Sequence, residues 1–205
     1  MLQIHRGDLS QDALNLLCSQ RLVACDTETS GLSWLTDQLQ LVQFFSPGTG
    51  AHLVKVDSSH TATNIKALME SNRVQKVFHH APFDLAFLKA TWDIDARGTL
   101  CTKIASKLIA AGSAQDHTLQ GLLARMLSID ISKGAVRTSD WDKDELSEAQ
   151  IEYAVNDVQY LIPLLDSMEK SLEAKQLLGI FHECCEFLPV RARTDQSGLG
   201  DLFSY

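Results

Sequence analysis

The chain has 205 residues, 45% of them hydrophobic and 21% charged, enough for one domain with a real core and incompatible with a disordered chain. A formal net charge of −8 argues against a protein that grips long duplexes, because such binding is driven by a basic face neutralising phosphates. Five cysteines, an odd number with no CxxC pair, argue against a disulfide framework or a zinc ribbon and read as buried reduced thiols.

No apolar run approaches the roughly 18 residues of a spanning helix, and the opening MLQIHRGDLSQD lacks the basic-then-apolar pattern of a signal peptide. The expected location is cytoplasmic. In chain order, residues 22–26 read as a short buried strand. Residues 39–45 alternate polar and apolar, the turn at 46–50 follows, and residues 51–56 form a third strand. Short links between these three predict an antiparallel meander. A helix over 64–70 and a strand over 74–78 come next, and from there the periods are helical.

Helices are expected over 82–92, with Pro82 in the first turn, over 102–111 and over 118–127. Ser147-Glu-Ala-Gln150 is a capping box that opens a long helix running to about Leu172. A last helix covers 179–187 and stops at Pro189, and an irregular tail follows. No internal repeat or long linker interrupts the chain. One α/β domain over 1–205, strands first and helices later, is the expectation. Its tail, residues 189–205, ends in Leu202, Phe203 and Tyr205 and would suit contacts in an oligomer.

Four carboxylates and a tyrosine carry the chemical signal. Asp26 and Glu28 lie two apart at the end of a buried strand, so both leave the same face. Two like-facing acids there are costly unless a cation compensates them. Asp84 falls in the first turn of the helix opening at Pro82. Tyr153 and Asp157 are four apart on the long helix and project from one face. Each piece is common alone. Their order and context together are specific, and hard oxygen ligands of this kind suit Mg²⁺ or Mn²⁺ rather than zinc. Leu32 and Trp34, after the first acidic pair, are candidates to wedge or stack terminal bases. Lys133 and Arg137 are candidates to meet a phosphate.

These residues resemble the tyrosine branch of the DEDD superfamily of 3′→5′ exonucleases on the RNase H-like fold, which includes ribonuclease D. Asp26-Thr-Glu28-Thr-Ser-Gly-Leu32 matches the first motif, His79-His-Ala-Pro-Phe-Asp84 the second, and Tyr153-Ala-Val-Asn-Asp157 the third. The second motif departs from the pattern in its doubled histidine. His79 and His80 therefore stay outside the metal set, with His80 and Thr27 kept as substrate-binding candidates. A closer resemblance, carried by Cys101-Thr-Lys-Ile-Ala-Ser-Lys107, Ile129-Asp-Ile-Ser-Lys133, Ser139-Asp-Trp141 and Phe187-Leu-Pro-Val-Arg191, is to the nano-RNase C family.

The resemblance implies a mixed sheet, an antiparallel meander plus parallel strands, flanked by helices. It also implies two divalent cations, Mg²⁺ or Mn²⁺. Asp26 would bridge both ions, Glu28 and Asp157 would complete the first, Asp84 would hold the second, and a protonated Tyr153 would orient the attacking water. The substrates implied are short single-stranded RNA or DNA, dinucleotides above all, and the assembly an octamer. The helical RNA-binding domains that follow the catalytic domain in ribonuclease D are not seen in this sequence, which suits short substrates. Three other readings compete: a general exonuclease on longer RNA or DNA ends, which expects a basic channel; a catalytically silent binding module, which expects a missing ligand; and a structural oligomerisation protein that keeps the fold, which gives no reason for a complete acidic set.

Overall fold

A computed structural model describes residues 1–57, 59–131, 139–143, 145–199 and 202. Its sheet has six strands in the order β1-β4-β3-β2-β5-β6. The central strands β2 (Leu22–Thr29), β3 (Leu39–Ser46) and β4 (Gly50–Lys55) form the expected antiparallel meander. β5 (Gln75–Phe78) lies parallel to β2, and β6 (Thr99–Cys101) parallel to β5.

In the first half of the chain three elements add to the sequence reading. β1 (Leu2–Arg6) adds a parallel edge to β4, and α1 (Gln11–Cys18) follows it, capped by the Ser10 side chain accepting from the Ala13 amide at 3.2 Å. Neither was expected, because β1 leaves Leu2 and Ile4 exposed and so lacks a buried apolar face. β6 was missed as well, being three residues long. Its pairing with β5 is what makes it a strand, and its presence after α3 breaks the expected strands-then-helices order.

The helices follow local chemistry. α2 spans Thr63–Glu70, α3 Ala81–Trp92, α4 Thr102–Ala110 and α5 Leu119–Leu127. The capping box at Ser147 and Gln150 is formed and opens α6 (Glu148–Gln159). The long helix expected beyond it is two helices, with α7 (Leu161–Ala174) starting after Tyr160. Pro163 explains the break: it has no N–H for the Gln159 carbonyl, and its ring crowds that carbonyl. Pro189, read as a stop, instead sits in the first turn of α9 (Leu188–Gln196), directly after α8 (Leu178–Glu186). The first part of the expected irregular tail is therefore a helix, packed on α3, with the Gln196 side-chain amide donating to the Ala86 carbonyl at 3.2 Å. Phe203 and Tyr205 lie outside the described residues.

The sheet separates two apolar clusters. The larger joins Val23, Cys25, Val42 and Phe44 to α3, α5 and α7. The smaller, Leu41, Leu53, Trp141, Tyr153 and Ala154, lies where α6 crosses β3. All five cysteines are free. Cys25, Cys101 and Cys185 are buried as expected, whereas Cys18, at the end of α1, is exposed. Among the described residues no helix is long and apolar enough to cross a membrane.

Candidate active site

Because β2 and β5 are parallel, the end of β2 and the turn after β5 meet at the same end of the sheet, between its interior strands. β2 runs through Glu28 to Thr29, three residues further than expected, and its register with β3 shifts between Glu28 and Thr29. Alternation puts Asp26 and Glu28 on the α6 side and Thr27 on the opposite side, toward α3. α6 then brings Asp157 over the acidic pair. Ligand oxygens of Asp26, Glu28 and Asp157 all lie within 4.8 Å of one another. Three carboxylates this close repel, and a divalent cation is the species whose charge and preference for hard oxygen donors fit them.

Asp84 stands outside that group of three but lines the same cavity of about 180 Å³, together with Tyr153 and the three acids. It lies in the first turn of α3 and is only 2% exposed. Burial pushes its pKa up to about 7, and the Asp157 charge adds to the rise, while a hydrogen bond from Thr27 opposes it. That bond runs from the Thr27 hydroxyl to Asp84 Oδ1 at 2.7 Å. Thr27, a substrate-binding candidate in the sequence, thus has its side chain committed to a carboxylate of the site.

Tyr153 is buried beside Asp157, four residues along the same helix. Its phenol pKa is raised, first by burial and then by the charges of Asp157 and Glu28, so it is held protonated. Trp141 packs on the ring, with centroids 5.9 Å apart and planes at 51°. The Gln150 amide donates to the Ser139 hydroxyl at 3.1 Å and to the Asp140 carbonyl at 2.9 Å, fixing the segment that delivers Trp141. This buttress was not read as functional. Its signal was the pairing of a buried-type Trp with a capping-box Gln.

Gln43 is the other residue that sequence reasoning passed over. It pairs with Asp26 across β2 and β3, so it shares the face of the acids. Its side-chain amide donates to Glu28 Oε1 at 3.3 Å. In the sequence it was one polar position in an alternating strand, indistinguishable from a solvent-facing one.

The histidines flank the cavity differently. His79 Nδ1 lies 2.9 Å from the Thr102 hydroxyl, a structural partner on α4. His80 caps α3 with φ 79° and ψ 43°, left-handed backbone that a non-glycine residue adopts at a cost. Desolvation, then the ammonium groups of Lys103 and Lys107, lower its pKa. A larger space of about 960 Å³ continues from the acidic cavity and shares Thr27, Glu28, His79, His80, Phe83 and Leu119 with it. Leu32, 87% exposed, stands at its rim. Trp34 packs against the main core instead and lines neither space. Lys133 and Arg137 lie outside the described residues.

Several known proteins are similar to this chain. The family model for 3′-5′ exonuclease matches residues 3–173. Ribonuclease D of Haemophilus influenzae is 30% identical over 179 residues, 86% of this chain and 43% of that protein, so the chain spans less than half of that relative. Among solved structures, NrnC of Brucella melitensis has a TM-score of 0.92 and 34% identity, covering 100% of this chain and 98% of that one. The same protein is also known bound to pGG and with bound Mg²⁺. RNase D of Escherichia coli, at 23% identity and a TM-score of 0.77 over 94% of this chain and 50% of that one, shares the RNase H-like fold. With its acidic motifs drawn into one cavity and its match running through nearly all of the sheet and most helices, the chain belongs to the 3′-5′ exonuclease family.

Proposed function

We propose that this chain is a metal-dependent 3′→5′ exonuclease that hydrolyses short single-stranded oligonucleotides, dinucleotides above all, to nucleoside 5′-monophosphates. The observation that carries the reading is the convergence of Asp26, Glu28 and Asp157 within 4.8 Å, with Asp84 and Tyr153 on the same cavity. The adjoining space of about 960 Å³ is of the size of a small-ligand site, about 300–1,000 Å³. The net charge of −8 supports small substrates too, since each phosphate held adds to the need for positive charge. That the similar Brucella protein is known with pGG and with Mg²⁺ supports the same substrate class and metal here.

Asp26, Glu28, Asp84 and Asp157 would hold two divalent cations, Mg²⁺ or Mn²⁺. Bound there, such ions supply an activated water and neutralise charge on the phosphoryl and leaving oxygens. Tyr153, kept protonated by its surroundings, donates a hydrogen bond that orients the attacking water. Trp141 fixes the ring from behind. Leu32 stands where a terminal base would lie, and His80, neutral at pH 7, faces the same space. The exposed Leu199 and Leu202 beyond α9 support, within this reading, contact with further copies of the chain.

The test is degradation of 5′-labelled RNA and DNA, from dinucleotides to heptanucleotides and longer strands, with Mg²⁺, with Mn²⁺ and with chelator. The expected result is metal-dependent release of mononucleotides, with kcat/KM highest for the 5′-phosphorylated dinucleotide and a shallow salt dependence. Equal or better turnover of long strands would replace the reading with a general exonuclease. No hydrolysis of any length would leave a silent binding module.

A further inference from the structure

We propose that Gln43 and Thr27 are positioning residues for the metal site: each ties one oxygen of a catalytic carboxylate with an uncharged donor, so that the other oxygen is held toward the cavity. The inference rests on the metal-dependent reading above and adds two residues from outside the acidic set. The two donors work from opposite faces of β2. Gln43, opposite Asp26 in the β2–β3 ladder and 0% exposed, gives its amide to Glu28 Oε1 at 3.3 Å. Thr27, on the other face and 6% exposed, gives its hydroxyl to Asp84 Oδ1 at 2.7 Å.

Chemistry decides why these donors are neutral. A lysine or arginine at either place would orient the carboxylate equally well, but it would also cancel the negative charge that attracts a cation. An amide and a hydroxyl restrict rotation and leave the charge in place. Gln43 shows the cost the chain accepts. Its Oε1 is buried and has no hydrogen-bond partner among the described residues, an expensive state for an amide carbonyl. The opposite amide orientation would set that oxygen against the Glu28 carboxylate, so the N–H side must face the acid. A residue chosen only for packing on this face of the sheet would be apolar, like Leu41 on the same strand and Leu53, its partner on β4, both fully buried.

The experiment measures Mn²⁺ binding by titration calorimetry on the full chain, alongside thermal melting in chelator. Wild type comes first, because failure to bind Mn²⁺ there would defeat the metal reading itself. Thr27→Val and Gln43→Met keep size and remove the donor. Each is expected to weaken Mn²⁺ binding about tenfold or more, while Gln43→Met melts at or above the wild-type temperature because it removes the unpaired carbonyl. Thr27→Ser, which keeps the hydroxyl, restores the affinity. At saturating metal the donor-free variants should lose kcat more than they raise KM. Wild-type Mn²⁺ affinity in both donor-free variants, or equal loss in Thr27→Ser and Thr27→Val, would overturn the proposal.

Discussion

Two ends of the same strand pair bury charge in opposite ways. Near the start of β5, paired with Val23, Lys76 is fully buried, and its ammonium donates to the Ser71 and Val74 carbonyls at 2.7 Å each. Burial lowers its pKa to about 8, yet the chain supplies its hydrogen bonds from nearby backbone. At the other end of β2, three carboxylates crowd within 4.8 Å and a fourth shares their cavity. One charge completes the fold. The other group raises the energy of the metal-free fold and is relieved by an ion that the chain does not encode.

The contrast can be broken from the acidic end first. Asp26→Ala or Asp157→Ala should abolish hydrolysis of a labelled dinucleotide by several orders of magnitude. Melting in chelator should be unchanged or raised, since a repelling charge is gone. Appreciable activity in a well-folded Asp26→Ala preparation would contradict the assignment. Tyr153→Phe comes next: it keeps the ring on Trp141 and removes one oriented donor, an effect on the order of 10²–10³ in kcat. Single-turnover kinetics would show it, and a loss under about threefold would take Tyr153 out of the chemistry.

Lys76→Met tests the other end. The two carbonyls lose a charged donor, offset in part by the removed burial of an ammonium, so denaturant unfolding should show a loss of about 2 kcal/mol. Turnover per folded molecule should stay intact, because Lys76 is remote from the cavity. A metal-affinity change in this variant would mean the two ends are coupled.

A third solution to buried charge sharpens the comparison with the smallest effect. His52, buried on β4 against His5, is kept neutral: burial first, then His5 and the N-terminal amine, lower its pKa to about 4. The unfolded chain, at about 6.5, binds its proton more readily than the fold does. Stability is therefore full above pH 6.5 and declines as pH falls toward 4. The expected loss is about 1 kcal/mol by about pH 5.8. His52→Gln should flatten that part of the curve, and an unchanged slope would assign the loss to other groups.

Legibility of the chain divides along the same physical line. The central meander, α6 and the acidic motifs were readable because alternation, capping and motif spacing act within a few residues. β1 was not, because an edge strand with exposed Leu2 and Ile4 has no buried face to betray it. The α6–α7 break and α9 were readable in principle: Pro163 forbids a continuous helix, and Pro189 fits a first turn as well as a stop. Leu32 and Trp34 looked alike in sequence, yet only Leu32 reaches the cavity, since side-chain direction in a loop follows from the packing beneath it.

By itself the sequence determined which groups are available for the chemistry. A strand-end Asp26-x-Glu28, a helix-start Asp84 and a helical Tyr153 and Asp157 state their types, local faces and order through periodicity alone. Only the tertiary structure decided how those groups are held. Gln43 meets Glu28 across 15 residues of chain, and Thr27 meets Asp84 across 57. Such contacts depend on strand register and on which ends of parallel strands coincide, and neither is written in any local run of residues.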